Sequence, residues 1–498
     1  MPGEFRGDFT RDTANPAKSF LRVLMQGGRA QVEADWNEQI DILLRHIQGL
    51  GQDLIGFHGG RGEGFEIQSI NSNPDDFAIA PGRYYVDGIP CEQQAMLDPN
   101  GNLQPWTYTT QPYYTIPETE TLDYLNQQNP NDSLLAYLDV WERHITFVED
   151  YDPNTPGIRE VALGGPDTAT RSQVVWQVKV IPAESIDEFL EGFEGRRNAI
   201  FEATPPSREL NVRIRYLTRE SFRAYLQASG VELKPGTGRL RARVDNQKDE
   251  TDPCRLSPKS KYRGLENRLY RVEILSHTAE AATFAWSRYN SSVMFPILQA
   301  DTGGETVTVS LEHLGQDARY SLTEGDSVEL VSDRWVLNNE PRFLLQVEAI
   351  DTYERSVVLK KPEGTPEFVL DSFNDPEEHP YLRRWYSPGT VAVSFSPEVS
   401  DGWLALEDGI EVQFPDFSTA SQPYKTGDYW LIPARTVTGD IEWPQDAATE
   451  TPKALPPRGI THYYAPLAIV RVFANDNTVG AQDCRRQLQR LWIDPGSP

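Results

Sequence analysis

The chain has few cysteines, few histidines and no long apolar run, and each shortage excludes a class of protein. Its three cysteines, Cys91, Cys254 and Cys484, lie too far apart for a dense disulfide framework or a CxxC metal site. The seven histidines form no HxH or HExxH pair. No stretch reaches the ~18 apolar residues that span a bilayer, and residues 1–12 lack a signal-peptide pattern. We expect no metal, no cofactor, a reducing compartment and cytoplasmic synthesis.

Basic residues are also scarce relative to acidic ones. The 498 residues contain 74 Asp and Glu against 47 Lys and Arg, a formal net charge of −27. Such a field repels phosphate backbones, so we expect no nucleic-acid partner. Two basic clusters stand out, Arg383-Arg384-Trp385-Tyr386 and Arg485-Arg486. They are either docking contacts or, the interpretation we favour, local salt bridges to nearby carboxylates.

No motif in the sequence assembles an active site. The glycine-rich stretch 59–64 fits neither GxGxxG nor GxxxxGK[ST], and no GxSxG is present. Residues 150–154 open like a calcium loop, but position six is not glycine and Val161 occupies position twelve, where a bidentate Glu belongs. We therefore predict no catalytic residue and no metal ligand, and expect that the protein is not an enzyme.

Apolar spacing predicts a mainly β, multidomain protein. From about residue 65 the apolar residues alternate, between turns rich in Pro, Gly, Asn and Asp, which is typical of strands. We expect an N-terminal helical segment followed by several small β-sandwich or β-barrel modules, one of them OB-like. The predicted divisions are 1–58 (N-terminal arm and helix), 59–182 (first β domain, with a proline-rich insertion at 98–133), 183–298 (mixed α/β segment and second β domain), 299–362 (small β-barrel) and 363–498 (C-terminal β domain).

A different period marks the first 58 residues. The apolar residues Trp36, Ile40, Leu43, Ile47, Leu50 and Leu54 recur at spacings of four and three, which predicts a helix with an a/d seam. The register covers fewer than three heptads, and Gly49 and Gly51 weaken its second half. The seam therefore either packs on its own chain, the interpretation we favour, or forms an inter-subunit coiled coil. A second short helical stretch is expected over 17–25.

Several blocks of the chain are similar to one bacterial protein family. They are Phe5-Arg-Gly-Asp-Phe-Thr-Arg-Asp12, Arg22-Val-Leu-Met-Gln26, Glu33-Ala-Asp-Trp-Asn-Glu38, Leu138-Asp-Val-Trp-Glu-Arg143, residues 159–171, Tyr262-Arg-Gly-Leu-Glu-Asn-Arg-Leu-Tyr-Arg-Val-Glu-Ile274, Thr283-Phe-Ala-Trp-Ser-Arg288, Gly427-Asp-Tyr-Trp430 and residues 457–467. The chain resembles, over nearly its whole length, an uncharacterised family encoded in gene clusters of contractile injection systems, which are phage-tail-like particles.

The resemblance implies a structural part of such a particle, at the baseplate or a baseplate extension. It implies other baseplate or tail-fibre proteins as partners, and a homo-oligomer, either a trimer or several copies around the particle axis. The particle is then released or attached to a membrane. Membrane contact would be indirect or through an exposed loop, for which the tract 98–133 with Trp106, Tyr108, Tyr113 and Tyr114 is the candidate. The resemblance carries over no catalytic residue.

An arm near the start of the chain has the composition of a contact segment. Aromatic and arginine side chains, which are favoured at interfaces, are interleaved there. The candidate interface residues are Phe5, Arg6, Phe9, Arg11, Phe20, Arg29 and Trp36. We expect residues 5–40 to mediate incorporation into the particle, although the same aromatics could instead cover the chain's own sheet. The alternative function is a tail-fibre-like adhesin that binds a receptor or glycan, and a delivered effector is less favoured.

Overall fold

A computed structural model shows two compact units built mainly from β-strands. It describes residues 3–488 except 71–72, 74, 98–100, 129–132, 152–154, 156, 164–166, 184–188, 191–206, 208, 246–260, 279–280, 316, 318, 341, 363–369, 395–401, 416–422, 450 and 474–477. Unit 1 comprises Met1–Ile40, Arg143–Gln173 and Lys234–Thr461. Unit 2 comprises Asp41–Glu142, Val174–Leu233 and His462–Pro498. Each unit therefore combines stretches that are distant in sequence.

Strands outnumber helices throughout the described residues. The helices are α1 (Glu33–Ile55), α2 (Leu122–Gln128), α3 (Leu210–Arg215), α4 (Arg219–Ala228) and α5 (Asp333–Leu337). The strands up to residue 244 are β1 (His58–Gly60), β2 (Ile67–Ser69), β3 (Phe77–Ile79), β4 (Gly82–Val86), β5 (Ile89–Gln93), β6 (Met96–Leu97), β7 (Leu103–Gln104), β8 (Trp106–Thr107), β9 (Ser133–Ile145), β10 (Arg171–Pro182) and β11 (Arg241–Val244). The later strands are β12 (Arg268–His277), β13 (Ala281–Ser287), β14 (Met294–Gly303), β15 (Thr306–Leu311), β16 (Ser327–Val331), β17 (Leu344–Asp351), β18 (Ser356–Lys360), β19 (Tyr381–Trp385), β20 (Val391–Ser394), β21 (Leu404–Ala405), β22 (Ile410–Gln413), β23 (Tyr429–Arg435), β24 (Asp440–Ile441), β25 (Tyr463–Phe473) and β26 (Thr478–Asp483).

Unit 1 contains a closed six-stranded barrel with the strand order β14-β15-β18-β17-β16-β19. All its strand pairs are antiparallel, and alternating apolar residues such as Val307, Val309 and Leu311 fill the interior. Closure pairs every strand with two neighbours, which removes the exposed edges of an open sheet. The sequence predicted a barrel over 299–362. In the structure β14 begins before residue 299 and β19 lies after residue 362, because the barrel closes by pairing β14 with β19.

The rest of unit 1 is built on two further sheets. The larger has the order β20-β13-β12-β23-β24, and the smaller has the order β11-β22-β21. Their apolar faces share one core, which contains Tyr270, Val272, Trp286 and Trp430. On β12, Arg271 and Glu273 alternate with these core residues and lie on the opposite face of the strand.

Unit 2 is organised around β9, the most completely buried long strand. The sheet order is β10-β9-β25-β26, and β9 is antiparallel to β25. One face of β9 carries Leu134 and Leu138 into a core of β-strands. The other face carries Leu135 and Tyr137 into a second core with α3 and α4. Burial on both faces explains why this stretch is a continuous apolar run.

The structure confirms the predicted fold class, a mainly β protein of several modules with few helices. The predicted second helix over 17–25 is wrong. A single 3-10 turn, Pro16–Lys18, is present, and Ser19 ends it with a left-handed φ of 54°. The five predicted divisions stay predictions. Cys254 and part of the candidate calcium loop at 150–154 lie outside the described residues.

Emptying one position of the barrel core tests how tightly this module is packed. Phe295 of β14 is fully buried, whereas Leu298 on the same strand is 62% exposed. We expect Phe295→Ala to lower the free energy of unfolding by about 3–5 kcal/mol, because it leaves a cavity. We expect Leu298→Ala to change it by less than ~0.5 kcal/mol. Denaturant titration of both variants measures this, and equal losses would contradict the proposed core.

Candidate functional site

Residues 3–12, here called the clasp, dock onto unit 1 through their backbone. Tyr429 donates its phenol hydrogen to the carbonyl of Gly3 at 3.0 Å. The Asn290 amide donates to the carbonyls of Phe5, at 2.9 Å, and Gly7, at 3.2 Å. Asn290 is itself fully buried. Because these bonds join carbonyls of the clasp to fixed side chains of the framework, they determine the path of the clasp.

Two aromatic side chains of the clasp pack on the β framework. The rings of Phe5 and Phe9 lie 4.3 Å apart and contact a small cluster that includes Leu269 and Leu431. Gly7 lies between them, and a Cβ there would be 2.6 Å from the ring of Phe9. A side chain at this position would displace the ring of Phe9, so glycine allows one phenylalanine to pack against the other.

Arg6 joins the clasp to a buried network of ion pairs. Its guanidinium donates to both carboxylate oxygens of Glu273, at 2.7 and 2.9 Å, and also to Glu4. Arg271 donates to the same Glu273 carboxylate at 2.5 Å, and Arg342 donates to it as well. The side chain of Glu273 is completely buried. One carboxylate therefore holds three arginines, from the clasp, from β12 and from the segment before β17.

The network continues into the barrel. Arg342 also donates to Glu329 of β16 at 2.5 and 3.0 Å. The Glu329 carboxylate accepts from the indole of Trp385 at 2.8 Å and lies 3.5 Å from Arg383 on β19. These seven charged residues are called the clasp network below. They are Glu4, Arg6, Arg271, Glu273, Glu329, Arg342 and Arg383.

The arginines keep the carboxylates of the clasp network ionised. Burial alone would raise the pKa of Glu4, but Arg6, Arg271 and Arg383 lower it to about 2. Burial likewise acts to raise the pKa of Glu273, and Arg271, Arg342 and Arg6 hold it well below its usual range. These carboxylates are therefore ionised near neutral pH and remain paired with the arginines.

A polar cavity of about 180 Å³ lies beside the clasp within unit 1. Arg6, His144 and Ser291 line it, and Arg6 Nη1, His144 Nε2 and Ser291 Oγ are buried there without a protein partner. Burial, offset in part by Glu4 and Glu149, lowers the pKa of His144 to about 4, so the imidazole is neutral at pH 7. The cavity has room for several water molecules, which would satisfy such groups.

The predicted interface residues divide into two groups. Phe5, Arg6 and Phe9 make the intramolecular contacts described above. Arg11, Phe20, Arg29 and Trp36 are exposed, with Arg11 3.5 Å from Glu442 and the Lys18 ammonium 5.6 Å from the ring of Phe20. The structure therefore brings the first three together on the framework and leaves the other four at the surface. A role of any of them in binding a partner stays a prediction.

Most of the exposed apolar side chains occur in one part of the chain. More than half of the large hydrophobic side chains that are exposed among the described residues lie between residues 20 and 54, here called the apolar segment. They are Phe20, Leu21, Leu24, Met25, Val32, Trp36, Ile40, Leu43, Ile47, Leu50 and Leu54. The seam of α1 is thus exposed, and the interpretation that it packs on its own chain is wrong.

The loop before α1 is tied to the first turns of that helix. The Thr10 amide donates to Glu33 at 2.8 Å, the Thr13 hydroxyl donates to Glu38 at 2.6 Å, and the Val23 amide donates to Gln39 at 2.8 Å. These bonds use the polar side chains of α1 and hold the loop in place. The exposed apolar side chains of residues 20–32 are therefore presented from a loop whose backbone is anchored.

The two basic clusters pair locally, as the favoured interpretation predicts. Arg383 faces Glu329, and Arg384 lies 3.1 Å from Asp326. Arg485 is almost completely buried, lies 3.0 Å from Asp483, and donates to the carbonyl of Gly64 at 2.8 Å. These arginines are structural anchors of their own units.

None of the four candidate aromatics in the proline-rich tract 98–133 is exposed, but Leu103 in the tract and Leu97 just before it are. Tyr108 and Tyr114 are buried, while Leu97 and Leu103, on the paired strands β6 and β7, are 70% and 71% exposed.

Among the residues for which the structure gives a placement, no helix is long and apolar enough to cross a bilayer. Within that same part of the chain, no group of three or more His, Cys, Asp or Glu side chains is arranged to hold a metal ion.

Removing one charge from the clasp network tests its contribution to stability. We expect Glu273→Gln to lower the free energy of unfolding by about 3–5 kcal/mol, because three buried arginines lose their shared partner. Glu442→Gln is the matched control, since Glu442 pairs with Arg11 and Arg435 at the surface and should matter by at most ~1 kcal/mol. Denaturant titration distinguishes the two, and a control loss as large as that of Glu273→Gln would refute the argument.

The lowered pKa of Glu4 predicts an acid-sensitive clasp. Its usual pKa is 4.5 and its folded value is about 2, so its contribution to stability is complete above pH 4.5 and disappears as the pH falls towards 2. We expect Glu4→Gln to flatten the fall in unfolding free energy across this window. Denaturation midpoints measured from pH 5 to pH 2 test this, and identical slopes for the two proteins would contradict it.

Comparison with known proteins gives a family and no function. A crystal structure of TssK aligns with 8% identity and a TM-score of 0.14, covering 79% of this chain and 98% of that chain, a likeness too weak to carry an argument. No curated protein matches the sequence. The family described as Family of unknown function (DUF6519) matches residues 5–215 and 211–488, which is nearly the whole chain. The chain therefore belongs to the DUF6519 family.

Proposed function

We propose that this protein is a structural component of a contractile injection system, at the baseplate or a baseplate extension, and not an enzyme. Two independent lines of reasoning support the proposal. The sequence blocks between residues 5 and 467 resemble a family from gene clusters of such particles. The framework is a set of small β modules, a construction suited to joining several neighbours through modest interfaces.

The observation that carries the proposal is the apolar segment. Single exposed leucines are ordinary, but eleven exposed large apolar side chains within 35 residues are the kind of surface that marks an interaction site. Here the segment begins at residue 20, shortly after the clasp, which anchors the chain to the framework of unit 1. A partner that binds a segment anchored in this way is held in a fixed position relative to the framework. Such coupling suits an assembly protein.

The composition of purified particles tests the proposed location. We expect this protein to be present in particles from the producing cells at a fixed small-integer ratio to a known baseplate component. Quantitative mass spectrometry of sheathed particles measures the ratio. Absence from the particles, or a variable amount recovered only from the lumen, would reject the baseplate role in favour of an adhesin or a cargo.

Substitutions in the apolar segment test whether it mediates incorporation. We expect Leu21→Ser combined with Leu24→Ser to reduce the amount in particles at least about tenfold, since about 1.4 kcal/mol of lost binding suffices for that change. Leu97→Ser combined with Leu103→Ser is the matched control, because these leucines are equally exposed elsewhere. Immunoblots of particles and of lysates separate lost incorporation from lost protein. Normal incorporation of the first variant would exclude this part of the segment.

A further inference from the structure

The exposed face of α1 repeats in heptads. Ile40, Ile47 and Leu54 occupy one heptad position, and Trp36, Leu43 and Leu50 occupy the other. Their exposed fractions run from 38% for Ile40 to 72% for Leu54. In the usual nomenclature the first set is a and the second is d. Ile at two of the three a positions and Leu at two of the three d positions is the distribution that favours parallel two-stranded coiled coils.

One side of α1, next to the heptad seam, already packs on its own chain. In unit 2, Gln52 donates to the carbonyl of Asp87 at 2.9 Å, and a Cβ on Gly51 would lie 3.0 Å from the Cα of Gly88. Gly51 therefore allows the helix to approach the turn between β4 and β5. This attachment uses Gly51 and Gln52, which border the seam, and leaves the a and d side chains of α1 exposed.

The residues that flank the seam favour a second copy of the same helix. The g positions are Gln39, His46 and Asp53, and the e positions are Asn37, Leu44 and Gly51. In a parallel pair g faces the next e of the partner helix, so Gln39 meets Leu44. This pairing does not place like charges opposite each other.

A lipid surface is a poorer occupant for this face. Amphipathic helices that lie on membranes carry Lys and Arg on the polar side, where they attract anionic headgroups. The sequence of α1 contains five acidic residues, Glu33, Asp35, Glu38, Asp41 and Asp53, and a single arginine, Arg45. Acidic lipids would repel such a helix.

We propose that α1 pairs with α1 of a second copy of this chain as a parallel two-stranded coiled coil. The inference rests on the proposed function, since it names the partner of part of the apolar segment. The seam covers fewer heptads than the three or four that usually mark a stable coiled coil, so the dimer dissociates on dilution. Within a particle, additional contacts would compensate for this weakness.

Cysteine cross-linking of the full chain tests the pairing and its direction. Leu50→Cys is combined with Cys254→Ser, so that the introduced cysteine is the one available for cross-linking. The other two cysteines, Cys91 and Cys484, are buried. In a parallel pair the two introduced cysteines are opposite each other, so mild oxidation should convert most of the protein to a covalent dimer. Leu298→Cys is the control, since it is exposed in the barrel, and it should stay monomeric.

An antiparallel pair would give a different pattern, which would overturn the proposed direction. In that arrangement Leu50 lies opposite the beginning of the partner helix, so Leu50→Cys and Ile40→Cys would cross-link when mixed but not alone. A cross-linked product of three chains would overturn the two-stranded state. No cross-link from either variant would overturn the pairing.

Light scattering across a dilution series supplies an independent measurement. We expect a mass of twice 56.3 kDa at high concentration and a monomer at low concentration. Ile47→Asp combined with Leu50→Asp should weaken the dimer roughly a hundredfold, because it places carboxylates in the apolar seam. The melting temperature of the monomer should not change, since both side chains are exposed.

The outcomes separate this inference from the proposed function. A wild-type chain that stays monomeric at all concentrations and forms no cross-link refutes the coiled coil. Its presence in particles at a fixed ratio would then still support the structural role. Conversely, a dimer that is absent from particles supports the coiled coil and rejects the baseplate assignment.

Discussion

The completely buried carboxylate of Glu273 is the constraint on which the arrangement of unit 1 depends. A carboxylate without water is stable only when cations replace its hydration, and Arg6, Arg271 and Arg342 do so from three parts of the chain. Losing any one partner would leave uncompensated charge in a medium of low polarity. The clasp, the sheet that contains β12 and the barrel are therefore held together by one set of mutually dependent contacts.

Much of the framework was predictable from local pattern alone. Short apolar stretches between turns predicted strands such as 134–140 and 327–331, and the structure has strands there because both faces are buried. The four-and-three spacing predicted α1 across its two glycines. The stretch 17–25 misled because its apolar residues have helical spacing but no packing surface, and the left-handed Ser19 ends the helical turn after Lys18.

The clasp network could not be predicted, since its members look ordinary one at a time. Arg271 and Glu273 alternate with Tyr270, Val272 and Ile274, a pattern typical of a strand with one face in solvent. That face is covered instead by residues 3–9, which are more than 260 positions away in sequence. Periodicity gives the side of a strand on which a residue lies, but it contains no information about what covers that side. The same limit applied to α1. Its spacing predicted an apolar seam but could not predict whether that seam is buried or exposed.

Both units depend on segments that are made late in synthesis. In unit 1 the clasp binds Tyr429 of β23, and in unit 2 the central strand β9 pairs with β25, more than 300 residues later. Neither unit can complete its core while the ribosome is still translating the middle of the chain. Until β25 is synthesised, β9 remains an apolar segment without this partner strand, the kind of nascent segment that chaperones protect. The interleaved layout thus makes folding a largely post-translational event.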